Sequence, residues 1–126
     1  IDFFHGYTYS GNPASCAASL ATLNIYEKEN LFQRGADLSE YFLDQVFALE
    51  DIATVTDIRG YGLFAGIDLA VDGTPGVAGT KALKALFEAG LHIKFTGDTA
   101  VMAPPLIAKK GDIDDIVSIL REVLTN

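Results

Sequence analysis

The run His5-Gly6-Tyr7-Thr8-Tyr9-Ser10-Gly11-Asn12-Pro13 carries the densest chemistry in the chain. Glycines, hydroxyl side chains and free backbone N–H groups there sit just before a helix start, a combination that suits an anion, commonly a phosphate. A plainer use of the same residues is to begin the helix, with Asn12 as N-cap and Pro13 at the first helical position. Local features leave both uses open. Arg59, between Ile58 and Gly60, could bind a carboxylate or ion-pair locally with a neighbour such as Asp57. Lys94 stands before a Gly-Asp turn, either as a solvent-facing strand residue or as an anion contact. His92 has no Ser or Cys nucleophile pattern and no metal-ligand spacing beside it, so it reads as a surface or turn-adjacent residue.

A lysine that forms a Schiff base must be desolvated or lie beside another cation. Lys28, Lys81, Lys84, Lys109 and Lys110 fall on polar helical faces or near loops, so none qualifies as a nucleophile. No catalytic residue and no metal site is therefore expected in this chain. Its single cysteine, Cys16, cannot form an internal disulfide and reads as a small buried apolar side chain.

These residues need elements to position them. Asn12-Pro13 opens a helix running to about Glu29, with Ala14, Ala17, Ala18 and Ala21 on one close-packing face and Leu20, Leu23 and Ile25 adding larger contacts. Asn30 interrupts and caps a second helix from Leu31 to about Leu49, in which Leu38, Tyr41, Phe42, Gln45, Val46 and Leu49 form a broad stripe. The alternating, β-branched run Ala53–Arg59 and the run Leu63–Val71 read as strands joined at Gly60-Tyr61-Gly62. A helix from about Val77 to Ala89 follows, with Leu83, Leu86 and Phe87 inward and Gly90 at its end. Leu91–Phe95 and Ala100–Ala103 flank a tight turn at Thr96–Thr99, and Asp112 caps a last helix bearing Ile113, Ile116, Val117, Leu120, Val123 and Leu124. The reading is one α+β domain over residues 1–126: a small, mostly antiparallel sheet with helices on one face, with residues 1–12 as a connecting loop.

The totals set bounds on partners. An apolar fraction of 49% over 126 residues supplies a real core and excludes an intrinsically disordered chain. A net charge of -8 makes nucleic acid and anionic membrane surfaces poor partners. No stretch approaches a membrane span in the sequence, and the chain reads as cytoplasmic. The front, Ile1-Asp2-Phe3-Phe4, has no initiator Met and would leave two phenylalanines exposed at a free terminus, so further chain is expected ahead of it.

Taken together, these segments resemble class III aminotransferases. His5-Gly6-Tyr7-Thr8-Tyr9-Ser10-Gly11-Asn12-Pro13 followed by Cys16-Ala17-Ala18 is similar to their H-G-x-T-Y-S-G-H-P…C-A-A stretch. Asp57-Ile58-Arg59-Gly60-Tyr61-Gly62-Leu63 and Gly66-Ile67 resemble their D-x-R-G-x-G-L-x-x-G-I/V strand pair. Gly97-Asp98-Thr99 with Pro104-Pro105-Leu106 resembles their G-D-x…x-P-P-L segment, and the helix at Asp112 their closing helix. The motifs occur in the family's order and cover essentially the whole chain.

The resemblance is to the ω-amino acid:pyruvate type. It implies a fold type I homodimer that holds pyridoxal 5'-phosphate on a lysine of a large domain, with this chain forming most of the small domain. The reaction it implies is transfer of an amino group from an amine or ω-amino acid to a keto acid such as pyruvate. By position, Thr8 matches the threonine that contacts the cofactor phosphate across the dimer interface, with the Tyr7 backbone beside it. Lys94 falls where many such enzymes carry an arginine for the substrate carboxylate; lysine keeps the charge and loses the planar fork. Asn12 stands where the ω-type motif usually has histidine. The catalytic lysine is not in this chain, so the chain alone is expected to be inactive. The other reading is a free-standing α+β small-molecule-binding or regulatory module without catalysis.

Overall fold

The computed structural model describes residues 5–6, 8–71 and 73–125. The chain divides into two compact units, 1–32 and 33–126.

The first unit holds helix α1, Pro13–Lys28. Asn12 starts it as expected: its side-chain oxygen accepts the Ser15 N–H at 3.0 Å and its carbonyl the Cys16 N–H at 3.0 Å. The Ser19 and Thr22 hydroxyls donate back to the carbonyls of Ser15 and Ala18, which satisfies them within the helix. Asn30, with a left-handed φ of 50°, follows the end of the helix, a conformation asparagine tolerates better than most residues. No residue of α1 is buried, so Cys16 is exposed rather than the buried side chain its composition suggested. Leu20 and Leu23 are exposed too.

Helix α2, Leu31–Phe47, leads into the second unit and ends in a 3-10 turn, Ala48–Asp51, which closes the element two residues short of the expected helical limit. Then come β1 (Val55–Tyr61), β2 (Phe64–Leu69), α3 (Val77–Glu88), β3 (Lys94–Thr96), β4 (Thr99–Met102) and α4 (Lys110–Thr125). The sheet order is β1-β2-β4-β3 and every pairing is antiparallel. The α+β class and the antiparallel sheet agree with the sequence reading.

Register assigns the two faces. Ile58, Ile67 and Ala100 lie in one row across the sheet, and Ala65 pairs with Met102 in the next; all five are buried. Phe42, Val46 and Leu49 from the second helix and its 3-10 extension, Leu86 from α3, and Ile113 and Leu120 from α4 complete this core. Each such fully buried large apolar side chain contributes about 1.5–3 kcal/mol. The opposite face carries Arg59, Gly66, Val101 and Lys94 in one row and Asp57, Asp68, Thr99 and Thr96 in the next.

Several boundaries moved for identifiable reasons. Gly90, with φ 93°, closes α3 with paired hydrogen bonds, Gly90 N–H to Phe87 O and Leu91 N–H to Leu86 O. Leu91 is thereby committed to the helix end, and β3 begins at Lys94 instead of Leu91. Phe87, expected inward, is exposed with its ring edge-on to His92, and Ala82 occupies the inward position with Leu86. Asp112 is not the cap of α4 but sits in its first turn, where its carboxylate accepts the Lys109 N–H at 2.8 Å.

Candidate functional site

In the first unit, Thr8, Tyr9, Ser10, Gly11, Asn12 and Ser15 line a cavity of about 550 Å³ ahead of α1. Gly11 has φ 74°, a conformation that returns the chain sharply into the helix and that other residues rarely adopt. Asn12 spends its side chain and its carbonyl on the first turn, so the helix-start reading holds for Asn12 and Pro13. The other residues of the lining bring hydroxyl side chains and backbone amides. In a chain of net charge -8, no carboxylate of the described residues lines it. Hydroxyls and N–H groups without a competing carboxylate are the chemistry a phosphate dianion requires. Thr8 is exposed at this site, while Tyr7 lies outside the described residues.

The second unit holds the other two candidates, and the structure treats them oppositely. Arg59 lies over Gly66 and grips Asp68 with two bonds of 2.7 and 3.1 Å. Asp57 accepts a third at 2.8 Å, and the Thr99 hydroxyl donates to Asp68 at 2.5 Å. The Arg59 guanidinium, followed by the Thr99 hydroxyl, holds the Asp68 carboxyl below its ordinary range. Asp68 and then Asp57 raise the Arg59 pKa further still. The charge of Arg59 is spent within the sheet, as the local ion-pair reading had it.

Lys94 is exposed on the edge strand β3, and among the described residues no carboxylate lies within ion-pair distance of it. It borders a groove of about 580 Å³ whose walls include Phe64, Leu91, His92, Met102 and Pro104. An unneutralised ammonium beside apolar walls is a place for an anionic group attached to an apolar body. His92 is a groove wall next to Phe87, without a nucleophile beside it. Among the described residues no cluster of three or more His, Cys, Asp or Glu could hold a metal, and no helix is long and apolar enough to cross a membrane.

Asp98 was read only as part of a tight turn, and the structure gives it more. Helix α3 starts at Gly76, which has no side chain to cap it. Asp98, 22 residues further on, supplies the cap: its two oxygens accept the Gly76 N–H at 2.6 Å and the Gly79 N–H at 2.8 Å. These bonds lower the Asp98 pKa. The signal available in the sequence was the pair of glycines at the start of a helix together with an aspartate in a turn, and nothing in it joined the two.

Comparison with known proteins bears on the same chain. The family model for aminotransferase class-III matches residues 2–124. This chain belongs to the class III aminotransferase family. It is 44% identical to an omega-aminotransferase of Caulobacter vibrioides over 98% of its length and 28% of the relative's. It is 38% identical to an omega-amino acid–pyruvate aminotransferase of Pseudomonas putida, again over 98% of this chain and 28% of that one. Among solved structures, a transaminase with L-ala superposes with a TM-score of 0.88 at 34% identity, over 95% of this chain and 30% of that one. A thermostable omega transaminase 6-fold mutant from Pseudomonas jessenii does so with a TM-score of 0.88 at 29% identity, over 97% of this chain and 29% of that one. The chain thus spans well under a third of the length of the relatives it matches. As a class III aminotransferase segment, it has the α+β fold its motifs implied.

Proposed function

We propose that this chain is the small-domain part of a pyridoxal-5'-phosphate-dependent aminotransferase that moves an amino group between an ω-amino acid or amine and a keto acid such as pyruvate. The observation that carries the reading is the hydroxyl-lined cavity ahead of α1, free of carboxylates among the described residues, in a strongly acidic chain of this family. Thr8, with the backbone at Tyr7, is the group that holds the cofactor phosphate. Pyridoxal phosphate, when bound, supplies an aldehyde that takes up the amino group and an electron sink for the carbon that loses its proton. The lysine that carries it belongs to the large domain of the same enzyme, in keeping with relatives more than three times as long as the match.

The residues of this chain bind and orient. The Thr8 hydroxyl donates to the phosphate and sets the depth of the cofactor relative to α1. Lys94 offers its unpaired ammonium to the substrate carboxylate, so that the reacting amino or keto group is presented from the other end. Arg59 cannot compete for that carboxylate, because Asp57 and Asp68 already hold its guanidinium. The assembly in this reading is a homodimer in which Thr8 serves the partner's cofactor, working in the cytoplasm.

The test is direct. The full-length protein, supplied with pyridoxal phosphate, β-alanine and pyruvate, is expected to form alanine. No alanine from any ω-amino acid or amine, in a protein that has taken up the cofactor, would refute the reading.

A further inference from the structure

We propose that Asp98 is a positioning residue for Lys94: by capping α3 from the β3–β4 turn, it fixes the edge strand from which Lys94 meets the substrate carboxylate. The inference rests on the reading of Lys94 given above.

Strand β3 has three residues and a single neighbour in the sheet, β4, so its own pairing holds it weakly. On its N-terminal side, Leu91 is tied to the end of α3 and not to the sheet. At its other end the Gly97-Asp98 turn is held three ways. The Asp98 carboxylate takes the Gly76 and Gly79 N–H groups of α3, one on each oxygen. The Asp98 carbonyl accepts the Leu69 N–H at the end of β2, at 3.0 Å. The third tie is contact, since a Cβ on Gly79 would lie 2.0 Å from the Gly97 oxygen, so helix and turn touch backbone to backbone. Lys94 lies between Ile93, buried in the core, and Phe95, packed against it, on a short strand whose other end is clamped at the turn. The carboxylate is specific to this task, because each oxygen faces an N–H. An asparagine could satisfy one of the two donors and would turn its own NH2 against the other.

The experiment uses the full-length enzyme and two amino acceptors, pyruvate and an uncharged aldehyde of similar size. Asp98→Asn and Lys94→Ala are compared with wild type, and Thr54→Val, which removes a hydroxyl bond to Leu124 O and none of the bonds made by Asp98, serves as a stability control. Misplacing a binding group by about 1 Å can cost up to about a hundredfold, so Asp98→Asn is expected to raise KM for pyruvate roughly three- to thirtyfold and to leave the aldehyde within about twofold. Thr54→Val is expected to change neither selectively. If Lys94→Ala shows carboxylate-selective loss while Asp98→Asn affects both acceptors equally or neither, the proposal is wrong and the role of Lys94 stands. If Lys94→Ala affects both alike, the role of Lys94 fails and this proposal with it. Should Asp98→Asn not fold, amide exchange in the wild-type protein decides. The amides of Lys94–Thr96 are expected to open together with those of Gly76 and Gly79; separate opening energies would overturn the proposal.

Discussion

Replacing Gly79 with alanine isolates the contact between α3 and the β3–β4 turn. In an ordinary helix the change stabilises, by about 0.5–1 kcal/mol, because alanine loses less backbone entropy on folding. Here the added Cβ would sit 2.0 Å from the Gly97 oxygen and 3.0 Å from the Asp98 Cα. Both are backbone atoms, so no side-chain rotation relieves the clash and the turn must move by about 1 Å. Overpacking of this kind costs about 1–3 kcal/mol, and the absence of a flexible neighbour places the cost toward the upper end. The net expectation is a destabilisation of about 2 kcal/mol, opposite in sign to the propensity effect. Gly111→Ala is the matched control: it lies in the first turn of α4 with nothing within 4 Å of its ideal Cβ, and it is expected to gain up to about 1 kcal/mol. Urea unfolding of both variants against wild type, at equal m-values, measures the difference. A Gly79→Ala protein as stable as Gly111→Ala would refute the close approach.

Lys94→Arg restores the planar fork and is expected to lower KM for pyruvate without changing that for an uncharged aldehyde; an equal change for both would deny Lys94 a carboxylate contact. Asp68 and Asp98 both have depressed pKa values, the first through Arg59 and then Thr99, the second through the Gly76 and Gly79 N–H groups. A depressed carboxylate stabilises the fold fully above its unfolded pKa and loses that contribution as pH falls through the folded one. Stability should therefore decline below about pH 4, and Asp98→Asn should flatten that decline. An unaltered acid limb in Asp98→Asn would contradict the cap.

The sequence made the elements readable where a single period dominates. The stripe through Leu38, Phe42, Val46 and Leu49 and the one through Ile113, Val117, Leu120 and Leu124 form buried faces as their spacing indicates. The strand pair around Gly62 was legible from β-branched alternation and turn glycines. Less legible were features set by contacts distant in the chain. Leu91–Ile93 looks like a strand but Leu91 completes a helix end, and Phe87 looks like core but is exposed while Ala82 and Leu86 are buried. Arg59 offered two uses on local grounds, and Asp68, nine residues away, decided between them. The front loop was recognisable from residue types, while Tyr7 stays outside the described residues. Helix α1 shows how far composition carries: its alanine face predicts close packing, yet no residue of it is buried within this chain.

The central claim is that Thr8 grips the phosphate of pyridoxal phosphate, and cofactor affinity in the full-length protein tests it most directly. Removing one hydrogen bond to a charged group costs about 1.5–3 kcal/mol, so Thr8→Ala should weaken cofactor binding about ten- to more than a hundredfold, while Thr8→Ser should stay near wild type. Thr8→Ala with wild-type affinity would contradict the account.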